Sequence, residues 1–154
     1  WVELGLQTIR EDTASYIRRG YTLDVFEDTF RRLTEAMIPV IVHVIIGLPG
    51  ETREDNIRMA EYLTHLHPHG VKLQLLHVLE GTDLGIYYKN TGFHVLEEAE
   101  YIDLILECIE HLRPEITVHR ITGDGAKRDL IAPAWSADKK RVLNYLNNYL
   151  AEPN

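Results

Sequence analysis

The residues best suited to hold a small molecule are the glycine-rich turn at residues 47–50 and the apolar stretch before it. Residues 40–46 are apolar and mostly β-branched, interrupted only by His43, which is typical of a buried parallel strand. Gly47 permits tight turning and close approach of a ligand to the main chain. Thr52 then follows as a candidate helix N-cap. A turn between a buried strand and a helix lies at the carboxyl edge of a sheet, where α/β proteins bind ligands.

Two further turns are expected at the same edge. Gln7 ends the first apolar stretch, over residues 1–7, and its side chain would either cap the strand end or form a hydrogen bond to a ligand. Gly81 and Thr82 follow a third apolar stretch, over residues 71–79, and either Thr82 or Asp83 is expected to cap a short helix through Tyr88. Because the carboxyl ends of parallel strands share one rim, all three turns are predicted to lie together.

Three alternating histidines, His65, His67 and His69, could suggest a metal site. They span a helix end and Pro68, so their side chains would diverge, and no carboxylate cluster lies near them in sequence. The single cysteine, Cys108, excludes an internal disulfide and a site built from several thiolates of this chain. The prediction is that this chain holds no metal.

His43 has two alternative interpretations. It could be a hydrogen-bonded core histidine, or it could point into the lumen of a barrel together with Gln74 of the next strand. The sequence contains no P-loop, nucleophile elbow or dinucleotide-binding glycine motif.

Length and charge restrict the remaining classes of function. A chain of 154 residues forms one domain at most and can bury a core. A net charge of −8 argues against a large nucleic-acid-binding face. No apolar run approaches the ~20 residues that span a membrane, and no signal peptide is recognisable, so a cytoplasmic location is expected. The sequence enters a strand-like stretch directly at Trp1, without an initiator methionine, and is expected to be part of a longer protein.

The hydrophobic periodicity predicts alternating strands and helices, and therefore an α/β fold with a parallel sheet and right-handed crossovers. Helices are predicted over residues 11–19, 24–36, 56–66 and 97–113, with a last helix capped by Ser136, and strands over residues 1–7, 40–46, 71–79 and 116–121. Core positions on the second and last helices are predicted at Val25, Phe26, Phe30, Leu33, Met37, Val142, Leu143, Leu146, Tyr149 and Leu150. Cys108 is expected to be a buried thiol on the 97–113 helix.

An ordered set of segments resembles the second half of radical S-adenosylmethionine (radical SAM) enzymes. The continuation through residues 120–124 and 133–135 is similar to the YhcC-type subfamily, which is itself similar to the Elongator catalytic subunit and to oxygen-independent coproporphyrinogen oxidase. The matching segments are residues 3–8, 19–20, 43–51, 72–77 and 81–82.

The resemblance implies a partial (βα) barrel, the second half of a (βα)6 barrel with a C-terminal α/β extension. Residues 1–92 would form the barrel half and residues 93–154 the extension. In this family a [4Fe–4S] cluster sits on a Cys-x3-Cys-x2-Cys motif and reduces bound S-adenosylmethionine to a 5′-deoxyadenosyl radical. This sequence lacks that motif, so the cluster is expected in the parent protein and not on this chain.

The resemblance also assigns cofactor-binding positions. Gln7 matches a fourth-strand position that contacts S-adenosylmethionine, Ile45 and Gly47 match the segment that packs on adenine, and His77 to Leu79 match the sixth-strand edge. Flat adenine needs apolar walls and close main chain, which agrees with the glycine turn. No catalytic residue can be assigned.

Two classes of function follow. The first is the C-terminal part of a radical SAM enzyme, inactive alone, whose partner is the missing N-terminal half of the barrel. The alternative is a cluster-free α/β module that binds a nucleotide or another protein. If the first holds, the strand over residues 1–7 has lost its neighbour and is expected to mediate self-association.

Overall fold

A four-stranded parallel sheet is the centre of the computed structural model, which describes residues 1–123 and 125–151. A two-stranded antiparallel sheet lies beside it. The parallel sheet has the order β1-β2-β3-β5 and the small one pairs β4 with β6. The strands are β1 (Val2–Gln7), β2 (Val40–Ile46), β3 (Gly70–Leu75), β4 (Val78–Leu79), β5 (Thr117–Arg120) and β6 (Leu130–Ala132).

Helices connect the parallel strands, which confirms the predicted alternation of strands and helices. They are α1 (Glu11–Tyr16), α2 (Leu23–Glu35), α3 (Arg53–Leu66), α4 (Asp83–Thr91), α5 (Glu98–Glu110) and α6 (Lys139–Ala151). Thr52 caps α3 as predicted, because its hydroxyl accepts the Asp55 backbone N–H and Asp55 in turn accepts from Thr52. Within the described residues, none of the helices has the length and apolar composition that crossing a bilayer requires.

The core lies on one face of the parallel sheet. Alternate residues of β2, from Val40 to Ile46, are buried there, together with the matching side chains of β1 and β3. Phe26 and Phe30 of α2, Leu63 of α3 and Tyr101 of α5 close over them. The opposite face, here called the open face, carries the alternate residues of β1, β2 and β3, among them Glu3, His43 and Lys72.

That open face carries polar side chains. Lys72 Nζ lies 2.8 Å from both carboxylate oxygens of Glu3, and His43 Nε2 lies 2.7 Å from Glu3 Oε2. His43 therefore points to the open face, as the barrel alternative predicted, and Gln74 lies on the same face of β3 as Lys72. At the amino end of the strands, the rings of Trp1 and His119 lie 6.0 Å apart.

The third strand is shorter than predicted. β3 ends at Leu75, and Val78 and Leu79 form β4, which pairs with β6. The apolar run over 71–79 continues through both, so local sequence could not show a break that depends on a partner about fifty residues away.

The helix predictions need several corrections. Helix α1 ends at Tyr16 and not at residue 19, α3 begins at Arg53 and not at residue 56, and α5 ends at Glu110 and not at residue 113. Ser136 does not cap the last helix: its hydroxyl donates to Pro133 O, and Asp138 Oδ1 accepts from Arg141 N instead. On α2 and just beyond it, two predicted core residues are exposed, Val25 at 53% and Met37 at 89%. Tyr149 and Leu150 of α6 are also exposed.

The proposed boundary at residues 92 and 93 falls between α4 and α5. Strand β5, from the second segment, is hydrogen-bonded to β3 of the first, so the parallel sheet includes strands from both segments. The division into two domains stays a prediction. Asp124, at the end of the segment 120–124 used for the resemblance, lies outside the described residues.

Candidate functional site

Gln7 has the most unusual backbone conformation at the carboxyl edge of the sheet. Its φ is +63°, a left-handed value that costs a residue with a side chain about 1–3 kcal/mol. The side chain folds back over Gly5, whose hypothetical Cβ would lie 2.8 Å from Gln7 Nε2. Gln7 Oε1 is buried and has no hydrogen-bond partner among the described residues. A strained backbone and a buried unpartnered acceptor indicate a functional position.

Neighbouring side chains hold the main chain on both sides of Gln7. The guanidinium of Arg19, whose side chain is only 1% exposed, donates to Leu6 O at 3.1 Å and to Thr8 O at 2.8 Å. The Tyr21 hydroxyl donates to Gly5 O. These contacts from the segment after α1 stabilise the bulge that interrupts pairing of β1 with β2.

Gly47 ends β2 in a tight turn, as the sequence predicted. Its φ is +83°, and an added Cβ would lie 2.9 Å from Leu96 Cδ1. Glycine is therefore required both by the backbone angle and by the close approach of Leu96.

A cleft of about 360 Å³ opens between α1 and α4, beside the ends of β2 and β3. Its walls are mainly apolar, and one ion pair crosses it, Arg18 Nη2 to Asp83 Oδ2 at 2.7 Å. Of the predicted site residues, Ile45 lines this cleft directly. The full lining is Tyr16, Ile17, Arg18, Ile45, Leu48, Leu76, Asp83 and Leu84.

The other predicted residues surround this cleft without lining it. Gln7 lies opposite Val44 on the neighbouring strand, and Gly47 follows β2. His77 comes directly after Leu76 and packs under the loop of Gly123 and Gly125, with Gly125 N donating to its Nδ1 at 3.1 Å. Leu79 is paired with Leu130 of β6.

Sequence reasoning missed Arg18 and Asp83. Arg18 also has a positive φ, +58°, which no local residue pattern indicates. Asp83 was treated only as a possible helix cap, whereas Thr82 accepts from Gly85 N in that role. Their positions give no shared signal, because Arg18 lies just after α1 and Asp83 is the first residue of α4.

Two carboxyl groups near the candidate site, Glu3 and Glu51, have shifted pKa values. The Lys72 ammonium donates to Glu3 and lowers the pKa of that carboxyl to about 2, with further hydrogen bonds from Trp1 and His43. Glu3 is therefore a carboxylate at neutral pH. At the rim, burial raises the pKa of Glu51, the last residue of the 43–51 segment.

Other candidates for metal binding do not converge. Among residues 1–123 and 125–151, no group of three or more His, Cys, Asp or Glu side chains has a geometry that could hold a metal ion. His65 Nδ1 lies 2.7 Å from the Glu61 carbonyl, and His67 ends α3 in a left-handed conformation. Cys108 is buried, and burial raises the pKa of its thiol to about 12.

Comparison with protein families accounts for nearly the whole chain. Residues 1–63 match the model of the Radical SAM superfamily, and residues 68–152 match the Radical_SAM C-terminal domain. The chain belongs to the radical SAM superfamily. This confirms the resemblance drawn from the ordered sequence segments.

Three curated relatives are similar to this chain over most of its length. The chain is 38% identical to protein YtqA of Bacillus subtilis over 97% of its own length and 47% of that protein. It is 30% identical to protein YhcC of Escherichia coli K12 over 99% of its length and 49% of that protein. It is 25% identical to human Elongator complex protein 3 over 80% of its length and 23% of that protein. The chain spans about half the length of YtqA and YhcC.

Two solved radical SAM structures share the fold. Elp3 of Methanocaldococcus infernus superposes with a TM-score of 0.81 at 22% identity, over 98% of this chain and 36% of that one. The methyltransferase TsrM of Kitasatospora setae, solved with cobalamin and a [4Fe-4S] cluster, superposes with a TM-score of 0.62 at 14% identity, over 98% of this chain and 42% of that one. The fold is thus α/β with a parallel sheet that corresponds to part of a radical SAM enzyme.

Proposed function

We propose that this chain forms the adenosine-binding and substrate-facing wall of a longer radical SAM enzyme and is inactive alone. In this proposal S-adenosylmethionine lies at the carboxyl edge of β1, β2 and β3, against Gln7, Ile45, Gly47, His77 and Leu79. The observation that carries the proposal is Gln7, strained at φ +63° with a buried acceptor that no described residue satisfies.

The residues present fit an adenosyl group. The cleft beside β2 has the size of a small-molecule pocket, and Ile45, Leu48 and Leu76 give it apolar walls for a flat ring. Gly47 keeps the end of β2 free of side-chain bulk. Ribose hydroxyls and the adenine amino group are hydrogen-bond donors, which is what the unpartnered Gln7 Oε1 requires.

The iron–sulfur cluster belongs to another part of the enzyme in this proposal. In radical SAM enzymes the bound cluster supplies the electron that cleaves S-adenosylmethionine into methionine and a 5′-deoxyadenosyl radical. Cluster ligation requires several thiolates, and Cys108 is the only cysteine in this sequence and is buried behind the sheet. The contribution of this chain is to bind and orient the adenosyl group and to exclude water from it.

The open face of the sheet would face the substrate. Glu3, His43 and Lys72 form a hydrogen-bonded group on that face, below the adenosine-binding rim. The preceding half of the barrel would cover this face and pair with β1, which is an edge strand of the sheet. The greater length of YtqA and YhcC supports such a preceding half.

The test compares this chain with the protein made from the complete reading frame that contains it. Both are reconstituted anaerobically with iron and sulfide, and cluster absorbance and S-adenosylmethionine binding are measured by visible spectroscopy and calorimetry. We expect the chain to stay colourless and the longer protein to load a cluster and bind S-adenosylmethionine. Stoichiometric cluster absorbance from this chain alone, or a longer protein without affinity for S-adenosylmethionine, would contradict the proposal. A reading frame that starts near Trp1 would favour the cluster-free binding module.

A further inference from the structure

Side chains join the loop after β1 to the loop after β2. The Thr8 hydroxyl donates to the Glu51 carboxylate, and Thr8 Oγ1 also accepts from the Arg10 backbone N–H at 3.0 Å. Thr8 is almost completely buried and directly follows Gln7. Glu51 lies four residues beyond Gly47, so the contact joins the two loops that flank the proposed adenosine site.

Arg10 makes a second connection between the same loops. Its Nη1 donates to Gly50 O at 3.1 Å and to Asp55 Oδ2 at 2.9 Å. Asp55 also completes the capping box of α3 with Thr52. The connection from Arg10 therefore reaches the rigid start of a fourteen-residue helix.

Glu51 is an unusual choice for a purely structural contact. Burial raises the pKa of its carboxyl group, because the carboxylate gives up contact with water when the protein folds. A neutral residue could fill the space without that cost. The Glu51 carboxylate accepts from the Thr8 hydroxyl and also hydrogen-bonds the Thr13 side chain, and a charged acceptor gives stronger and more directional hydrogen bonds than a neutral acceptor does.

We propose that Thr8 and Glu51 are positioning residues for the adenosine site. By fixing Thr8 to the loop after β2, Glu51 holds the adjacent Gln7 in its left-handed conformation and aims the Gln7 amide into the lumen side of β1. The same bond sets the distance between Gln7 and Gly47, the two sides of the site. This inference rests on the proposed function, because it assigns these residues a role in binding S-adenosylmethionine.

The test measures S-adenosylmethionine affinity in the longer, cluster-loaded protein. Thr8→Val removes the hydroxyl and keeps the shape, Glu51→Leu removes the acceptor, and Glu51→Gln keeps an acceptor. We expect about a tenfold loss of affinity in Thr8→Val and in Glu51→Leu through the Thr8–Glu51 hydrogen bond that both variants remove, with Glu51→Gln within about threefold of wild type. The matched control is Thr29→Val, which removes an exposed hydroxyl that donates to Val25 O within α2.

The double variant Thr8→Val/Glu51→Leu separates positioning from general destabilisation. If the two residues act through their shared hydrogen bond, the affinity loss of the double variant is smaller than the sum of the two single losses, while thermal unfolding confirms an intact fold. Additive losses, or Thr8→Val binding as tightly as wild type, would overturn the inference. A wild-type protein that does not bind S-adenosylmethionine would instead overturn the proposed function, so the two failures are distinguishable.

Discussion

Gly47 packs against Leu96, so closely that a Cβ atom on Gly47 would lie 2.9 Å from Leu96 Cδ1. Leu96 also packs on the hydrophobic core. The glycine turn therefore touches the core on one side and the proposed adenosine site on the other. Substitution at Gly47 is therefore expected to affect stability as well as binding.

The first prediction separates two costs at this turn. Gly47→Ala should destabilise the protein by about 1–3 kcal/mol through its positive φ, and further through the contact with Leu96. Gly50→Ala is the matched control, because Gly50 has a similar φ of +80° but no atom within 4 Å of its added Cβ. Urea unfolding should therefore give a larger loss for Gly47→Ala. In a Leu96→Ala background, Gly47→Ala should lower the unfolding free energy by no more than Gly50→Ala does. Equal losses of unfolding free energy at the two glycines in the wild-type background would refute the contact with Leu96.

The second prediction concerns the cap of α3. Thr52→Ala removes the hydroxyl that accepts from Asp55 N and should cost about 1 kcal/mol of unfolding free energy. Thr22 occupies the N-cap of α2 without a side-chain capping bond, so Thr22→Ala should cost much less. The two variants are compared by chemical denaturation. Equal effects would show that the capping box does not stabilise α3.

The third prediction concerns acid stability. Burial alone would raise the pKa of Asp55, but hydrogen bonds from the Thr52 backbone, Arg58 and Arg10 lower it from 3.8 to about 2. Because the pKa is lower in the folded state than in the unfolded state, the ionised carboxyl stabilises the fold at every pH above the unfolded-state pKa. That contribution is lost as the pH falls from about 4 to about 2. We expect the unfolding free energy of wild type to exceed that of Asp55→Asn by roughly 2 kcal/mol at pH 7, and this difference to shrink as the pH falls from about 4 to about 2. A difference that does not vary with pH would contradict the charged contacts.

The fourth prediction concerns the edge of the sheet. If β1 pairs with a preceding strand in the longer protein, this chain alone should self-associate through β1. Trp1 is 73% exposed, so Trp1→Lys adds charge at this edge without disturbing the core. Light scattering should show a lower average mass for Trp1→Lys than for wild type. Met37→Lys, at another exposed apolar residue, is the control, and a wild-type chain that stays monomeric at high concentration would refute the prediction.

The sequence predicted correctly the features that depend on neighbouring residues. The apolar run of β2, the Thr52 cap and the positive φ of Gly47 follow from side-chain type and spacing, and the structure contains all three. The alternation of strands and helices then determined the parallel sheet.

Long-range partners account for what the sequence could not show. The break before β4 depends on β6, and the Arg18–Asp83 ion pair joins residues 65 positions apart. The unusual backbone of Gln7 also depends on distant contacts, since Arg19 and Tyr21 hold its neighbours. No pattern within β1 indicates a positive φ at a glutamine.

Gln7→Gly tests the central claim most directly, because glycine tolerates φ +63° while it removes the amide. S-adenosylmethionine affinity and thermal stability are measured on the longer, cluster-loaded protein. Met37→Gly is the matched control, since Met37 has a φ of +57° and lies at the amino end of β2, away from the proposed site. The account predicts that both variants keep or gain stability and that only Gln7→Gly loses affinity, by about tenfold. Wild-type affinity in a folded Gln7→Gly protein would contradict the placement of the adenosyl group against Gln7.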